Sequence, residues 1–182
     1  QFPGYFGCDT VLKFPGVVKD GLDPFMTEGA SNLVYAVPNL RSRVVIKDTG
    51  VRVGYWRSVS HALNAFAFES FIDELAKAGN RDPLQFRLEM LAEQPRQRAV
   101  LEKVAAMAEW KRPRGANAAL GIASMECYGS YIAMTAEVQR RGKDVHCARI
   151  AVAVDPGIAV RPDQVIAQIE SAVITGLTGA LR

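Results

Sequence analysis

The feature that most restricts this fold is a change of period at Lys111-Arg112-Pro113-Arg114-Gly115. Apolar residues recur at threes and fours before it and alternate after it, so helices precede strands. From His61 onward, Leu63, Phe66, Phe68, Phe71, Ile72 and Leu75 mark one apolar helical face. Glu69, Asp73, Glu74 and Lys77 are then expected on the solvated side. Ser58 or Ser60 can supply the N-cap oxygen, and Gly79 suits the left-handed position past the end. Asp82-Pro83 opens a second helix as N-cap and N1, with Gln85 placed where a capping side chain can fold back. It runs to about Leu91 and offers Leu84, Phe86, Leu88 and Leu91 for burial. A third helix covers roughly residues 96–110 and is stopped by Pro113.

Beyond Gly115, residues 120–127, 131–139 and 145–154 read as strands. Arg140-Arg141-Gly142-Lys143 is the expected hairpin loop, and Asp155-Pro156-Gly157 ends the third strand. Pro162-Asp163 opens a last helix containing Val165, Ile166, Ile169 and Val173. Residues 1–30 are rich in glycine and proline and read as loop, with a short strand at 10–14. Pro38 biases Val37 toward extended backbone. Residues 44–47 continue as strand, Asp48-Thr49-Gly50 turns it, and residues 51–53 are extended. The class is therefore α+β: an extended N-terminal segment with short strands, three helices, a β meander and a C-terminal helix. The chain divides into loops and strands over 1–57, a helical part over 58–114, and meander plus helix over 115–182. Its ends, a start at Gln1 without methionine and an uncapped small-residue stretch up to Arg182, read as cuts through a longer protein.

Composition then removes function classes. The 182 residues carry a net charge of +3 with dispersed basic groups, so no nucleic-acid footprint is expected. Cys8, Cys127 and Cys147 form no C-x-x-C pair, so no zinc site or iron–sulfur cluster is expected on this chain, and no metal ligand is assigned. No apolar run reaches the roughly 18 residues of a membrane span. The reading is a soluble bacterial-type protein, with cytoplasm and periplasm both open. No G-x-S-x-G, G-x-G-x-x-G or P-loop occurs, and His61 and His146 lack metal-ligand companions at helical spacing.

Two polar residues stand out. Arg57 lies in Gly54-Tyr55-Trp56-Arg57-Ser58-Val59-Ser60-His61, at the mouth of the first helix. It has a structural reading, lying over Trp56 or Tyr55 while pairing with Glu69 or Asp73. It also has a functional one, because helix-start amides and a planar guanidinium together favour an anion. Gln168 is ordinary unless its neighbours Val165, Ile169 and Val173 are buried; its amide would then suit the edge of a heterocycle.

Five linked blocks resemble one family. They are Asp48-Thr-Gly-Val-Arg-Val-Gly-Tyr-Trp-Arg-Ser-Val-Ser-His61, Asn64-Ala-Phe-Ala-Phe-Glu-Ser-Phe-Ile-Asp-Glu-Leu75, Asp82-Pro-Leu-Gln-Phe-Arg87, Val154-Asp-Pro-Gly-Ile-Ala-Val-Arg-Pro-Asp163 and Ala167-Gln-Ile-Glu170. Together they resemble the molybdenum-binding large subunit of the xanthine dehydrogenase/aldehyde oxidase group, in the branch like the isoquinoline 1-oxidoreductase beta subunit. The resemblance runs from about Val18 to the end. It implies a piece of a larger molybdopterin-binding domain, with Arg57 and Gln168 on the cofactor and Trp56 and Ser58 beside Arg57. Val59 stands where purine-oxidising relatives carry a stacking phenylalanine, and the arginine by which they orient purines is missing, Met26 and Thr27 occupying its neighbourhood. Ser60, Arg161 and Ser171-Ala172 depart from the pattern. The family's catalytic glutamate belongs to a G-V-G-E-P block expected beyond Arg182, so no catalytic residue is assigned here and the fragment alone is expected to be inactive. The implied cofactor is a molybdopterin, a cytosine dinucleotide form among those admitted, with [2Fe–2S] clusters on a small partner subunit. The implied reaction oxidises aldehydes or N-heterocycles with water as oxygen source. The rival reading is a divergent or truncated relative that serves as an assembly module.

Overall fold

The computed structural model describes residues 28–30, 33–43, 50–51 and 56–181. The chain divides into two compact units, Gln1–Asn80 and Arg81–Arg182. The strands expected at 10–14 and 44–47, and most of 51–53, lie outside the described residues.

In the first unit, α1 spans Ser60–Ala78. Its existence follows from the period, but its orientation does not. The buried positions are His61, Glu69, Ile72 and Ala76, whereas Leu63 (77%), Phe66 (78%) and Phe71 (56%) are exposed. The expected apolar face is thus split, with Ile72 buried and Phe68 half-buried but Leu63, Phe66, Phe71 and Leu75 turned outward, and Glu69, expected in water, is inside. Its carboxylate accepts a 2.8 Å hydrogen bond from the hydroxyl of buried Tyr35. Asn64 Nδ2 donates to the Glu28 carbonyl at 2.6 Å. Directed polar bonds to distant segments fix this helix's rotation, and the period alone does not encode them. The ends differ from expectation too. Val59 is the N-cap residue and no side chain caps it. Gly79 has φ −82°, and the left-handed residue is Asn80 at φ 50°.

In the second unit, α2 (Pro83–Met90) and α3 (Pro95–Met107) pack together, and α3 crosses a three-stranded antiparallel sheet. The strands β1 (Ala118–Cys127), β2 (Ser130–Arg141) and β3 (Asp144–Asp155) are ordered 1-2-3. As expected, Asp82 caps α2: Oδ1 accepts from the Gln85 N–H at 2.9 Å. Its second oxygen accepts from the Trp110 indole at 2.9 Å, which ties the start of α2 to the turn after α3. Leu84, Leu88, Leu91, Val100, Leu101 and Val104 form the core. The sheet face beneath α3 carries Ile122, Ser124, Ala133, Thr135, Ala151 and Ala153, all buried. These side chains are mostly small, which lets the helix lie close to the strands. Gln97, fully buried on α3, donates its amide to Ser124 Oγ and to the Ile132 carbonyl.

Connections are tighter than the sequence suggested. Tyr128 (φ 51°) and Gly129 (φ 79°) turn β1 into β2, as a two-residue hairpin with both residues left-handed requires. The second hairpin turns at Gly142-Lys143 alone, because Arg140 and Arg141 remain paired within β2. Helix α3 stops at Met107 rather than near Trp110, with Glu109 left-handed at φ 50°. Its last carbonyls are gathered by arginines. Arg114 donates to the carbonyls of Ala108 (2.7 Å), Glu109 (3.2 Å), Trp110 (3.0 Å) and Arg112 (2.7 Å), and Arg149 donates to Met107 (2.8 Å). Helix α4 (Pro162–Ala180) has no buried residue, and Val165, Ile169 and Val173 are only half-buried.

Candidate functional site

Residues 56–59 form a tight turn in front of α1. The Val59 N–H donates to the Trp56 carbonyl and the His61 N–H to the Ser58 carbonyl, both at 3.1 Å. Ser58 has φ 71° and Val59 has φ 50° with ψ −132°, so two consecutive non-glycine residues occupy left-sided backbone. For a β-branched valine this is strained by about 1–3 kcal/mol, a feature that clusters at ligand-binding turns. Ser58 Oγ bonds the Arg57 carbonyl rather than capping the helix. The turn displays Trp56, 73% exposed, together with the exposed Arg57 and Ser58; Val59 is half-buried. The first turn of α1 holds no acidic residue of its own, and the nearest carboxylate there is that of Glu28, which lies on the buried His61 side.

Sequence reasoning missed the polar cluster behind this turn. His61, read as ordinary, is 3% exposed, with Nδ1 3.7 Å from Glu28 Oε2. With Asn64 on the Glu28 carbonyl and Glu69 on Tyr35, two residues of α1 hold two upstream segments, and His61 lies beside the first of them. A signal was present: polar residues at 61, 64 and 69 share the helical spacing of the apolar stripe and mark a second face.

Gln168 lies in the second unit, exposed on α4. Upstream of that helix, the turn closing the Val154-Asp155-Pro156-Gly157 block is fixed by Arg96 from α3. The guanidinium binds Asp155 through two 2.8 Å hydrogen bonds and lies 4.3 Å from the centre of the Tyr131 ring. The Gly157 N–H donates to Asp155 Oδ1 at 2.9 Å. The Arg96 hydrogen bonds first, and the Gly157 N–H second, hold the Asp155 carboxyl at about 2, below its ordinary 3.8. A depressed acid contributes stability above its unfolded value and loses it as pH falls through the folded one. Asp155 should therefore contribute fully above about pH 4 and lose that contribution toward pH 2. Unfolding midpoints followed by circular dichroism across that range should slope less in Asp155→Asn than in the wild type. An unchanged acid limb would contradict the assignment. Among the described residues, no three His, Cys, Asp or Glu side chains converge as a metal site.

Over 154 residues, 82% of its length, the chain is 37% identical to the beta subunit of isoquinoline 1-oxidoreductase from Brevundimonas diminuta. The chain is similar to a fragment of such an oxidoreductase subunit. Two further relatives are the B subunit of nicotinate dehydrogenase from Pseudomonas putida and the membrane-bound aldehyde dehydrogenase [pyrroloquinoline-quinone] of Gluconacetobacter polyoxogenes. The first is 33% identical over 162 residues (77% of this chain) and the second 30% over 191 residues (91% of this chain). The chain spans only 20%, 14% and 24% of the lengths of these three proteins, in the order named. No family model and no solved structure matches it. Among the described residues, no helix is long and apolar enough to cross a membrane.

Proposed function

We propose that this chain contributes part of the cofactor-binding region of a molybdenum hydroxylase large subunit that oxidises aldehydes or N-heterocycles. One observation carries the reading: the family's W-R-S-V block lies on a strained, exposed turn at a helix start, with an arginine displayed and no acid in the helix's first turn. That donor set suits an anionic pterin cofactor, because a guanidinium and helix-start dipoles reinforce each other on phosphate or pterin oxygens. Arg57 would hold the cofactor, flanked by Trp56 and Ser58, and Gln168 would offer its amide to the pterin edge. When bound, the molybdenum cofactor supplies the redox chemistry of substrate oxidation. The chain's own part is to bind it and orient it. Two relatives are named as the beta and B members of multi-subunit enzymes, which supports a further subunit; the proposed one carries [2Fe–2S] clusters that accept the electrons. The third relative's name carries a quinone cofactor; the linked sequence blocks favour molybdopterin for this chain.

Substrate choice follows from Val59. An aromatic ring stacked on a flat heterocycle contributes roughly 0.5–1.5 kcal/mol beyond buried area, and valine supplies none of it. In steady-state assays of the full-length protein, kcat/KM for benzaldehyde or isoquinoline should exceed that for xanthine, and Val59→Phe should narrow the gap. Xanthine as the best wild-type substrate would overturn this reading of Val59.

A further inference from the structure

We infer that Glu28, His61 and Asn64 are positioning residues that lock the 56–59 turn so that Arg57 meets the cofactor in one orientation. The inference rests on the cofactor reading of Arg57. His61 belongs to both structures at once. Its main-chain N–H closes the turn on the Ser58 carbonyl at 3.1 Å, while its buried ring faces the Glu28 carboxylate, Nδ1 to Oε2 3.7 Å. Asn64, one helical turn on and on the same side, holds the Glu28 main-chain carbonyl at 2.6 Å. The backbone of one upstream residue is thus held by a hydrogen bond from the second turn of α1, and its carboxylate lies beside the His61 ring.

Packing alone does not call for this arrangement. Apolar residues of the same volume commonly match or better a polar group at a buried position such as His61. What the polar contacts add, through the 2.6 Å bond from Asn64 to the Glu28 carbonyl, is direction. Direction is needed here, because Ser58 and Val59 in left-sided backbone relax unless the surroundings over-determine them. A guanidinium on a loosened turn loses the fixed geometry that bidentate recognition requires.

The Tyr35–Glu69 bond supplies the control. It lies on the same helix face, two turns beyond His61 and away from the 56–59 turn. In the full-length protein, molybdenum occupancy should be measured by mass spectrometry beside the thermal midpoint for His61→Leu, His61→Gln, Asn64→Leu, Tyr35→Phe and Arg57→Ala. His61→Leu and Asn64→Leu should lower metal occupancy about tenfold, the size of effect usual for a residue that supports a ligand. His61→Gln, which keeps a donor toward Glu28, should recover most of it. Tyr35→Phe should lower the midpoint and leave occupancy unchanged. If His61→Leu does not fold, Asn64→Leu decides by the same comparison. Wild-type occupancy in a folded His61→Leu or Asn64→Leu protein, with Arg57→Ala depleted, would overturn the positioning role alone. An equal loss in Tyr35→Phe would overturn it too, by reducing the effect to general stability. Full occupancy in Arg57→Ala would instead sink the cofactor reading beneath it.

Discussion

Arg57→Ala in the full-length protein should lower molybdenum content tenfold or more while shifting folding stability by no more than about 0.5 kcal/mol, as befits an exposed surface position. Hydrogen bonds to charged groups contribute roughly 1.5–3 kcal/mol each, and about 1.4 kcal/mol is a factor of ten in binding. Losing even one such bond to an anionic cofactor therefore depletes the metal without unfolding the protein. Lysine should not restore occupancy, because an ammonium on a flexible stem cannot make the planar, two-pronged contact. Normal metal loading in a folded alanine variant would return Arg57 to a structural role. Parallel loss of metal and stability would say the same.

The largest stability effect should come from Arg114→Ala. Its side chain is only 10% exposed and its guanidinium takes the carbonyls of Ala108, Glu109, Trp110 and Arg112, with Glu137 3.7 Å from Nε. A helix leaves its last carbonyls without intrahelical partners, and here one side chain gathers the polypeptide immediately after α3. Removing it leaves the part-buried carbonyls of Ala108 and Trp110 without their donor, at roughly 1–3 kcal/mol each and not additively, while the exposed carbonyls of Glu109 and Arg112 turn to water, so about 3 kcal/mol overall is the upper end expected from urea denaturation. Arg114→Lys should recover little, since one ammonium cannot span four carbonyls in a fixed fork. A loss below about 1 kcal/mol, the level of an ordinary surface substitution, would mean that water replaces the guanidinium freely.

Local chemistry made much of this fold readable. Asp82-Pro83 specified its helix start because an N-cap oxygen and a preset φ act within three residues. The meander was readable because alternation and the glycines at its turns are likewise local. The rotation of α1 was not. It depends on Tyr35 and Glu28, whose bonding partners on the helix lie 34 and 36 positions away. Counting large apolar residues chose Leu63, Phe66 and Phe71 for the interior, although the bonds that fix the face run to Asn64 and Glu69, with His61 beside Glu28. The N-cap failed for a related reason. Left-sided backbone at Ser58 and Val59 takes both serines out of capping geometry, and no residue type there announces it. Of the candidate site, Arg57's display at a helix start could be read from its neighbours. The buried His61 behind it was missed, because its only signal is the polar face it shares with Asn64 and Glu69.

The cofactor reading is tested most directly by the metal content of the full-length wild-type protein. By mass spectrometry, purified protein should carry about one molybdenum per large subunit, and it should release a pterin fluorophore on oxidative denaturation. A folded full-length protein free of both molybdenum and pterin would contradict the account and favour the assembly-module reading.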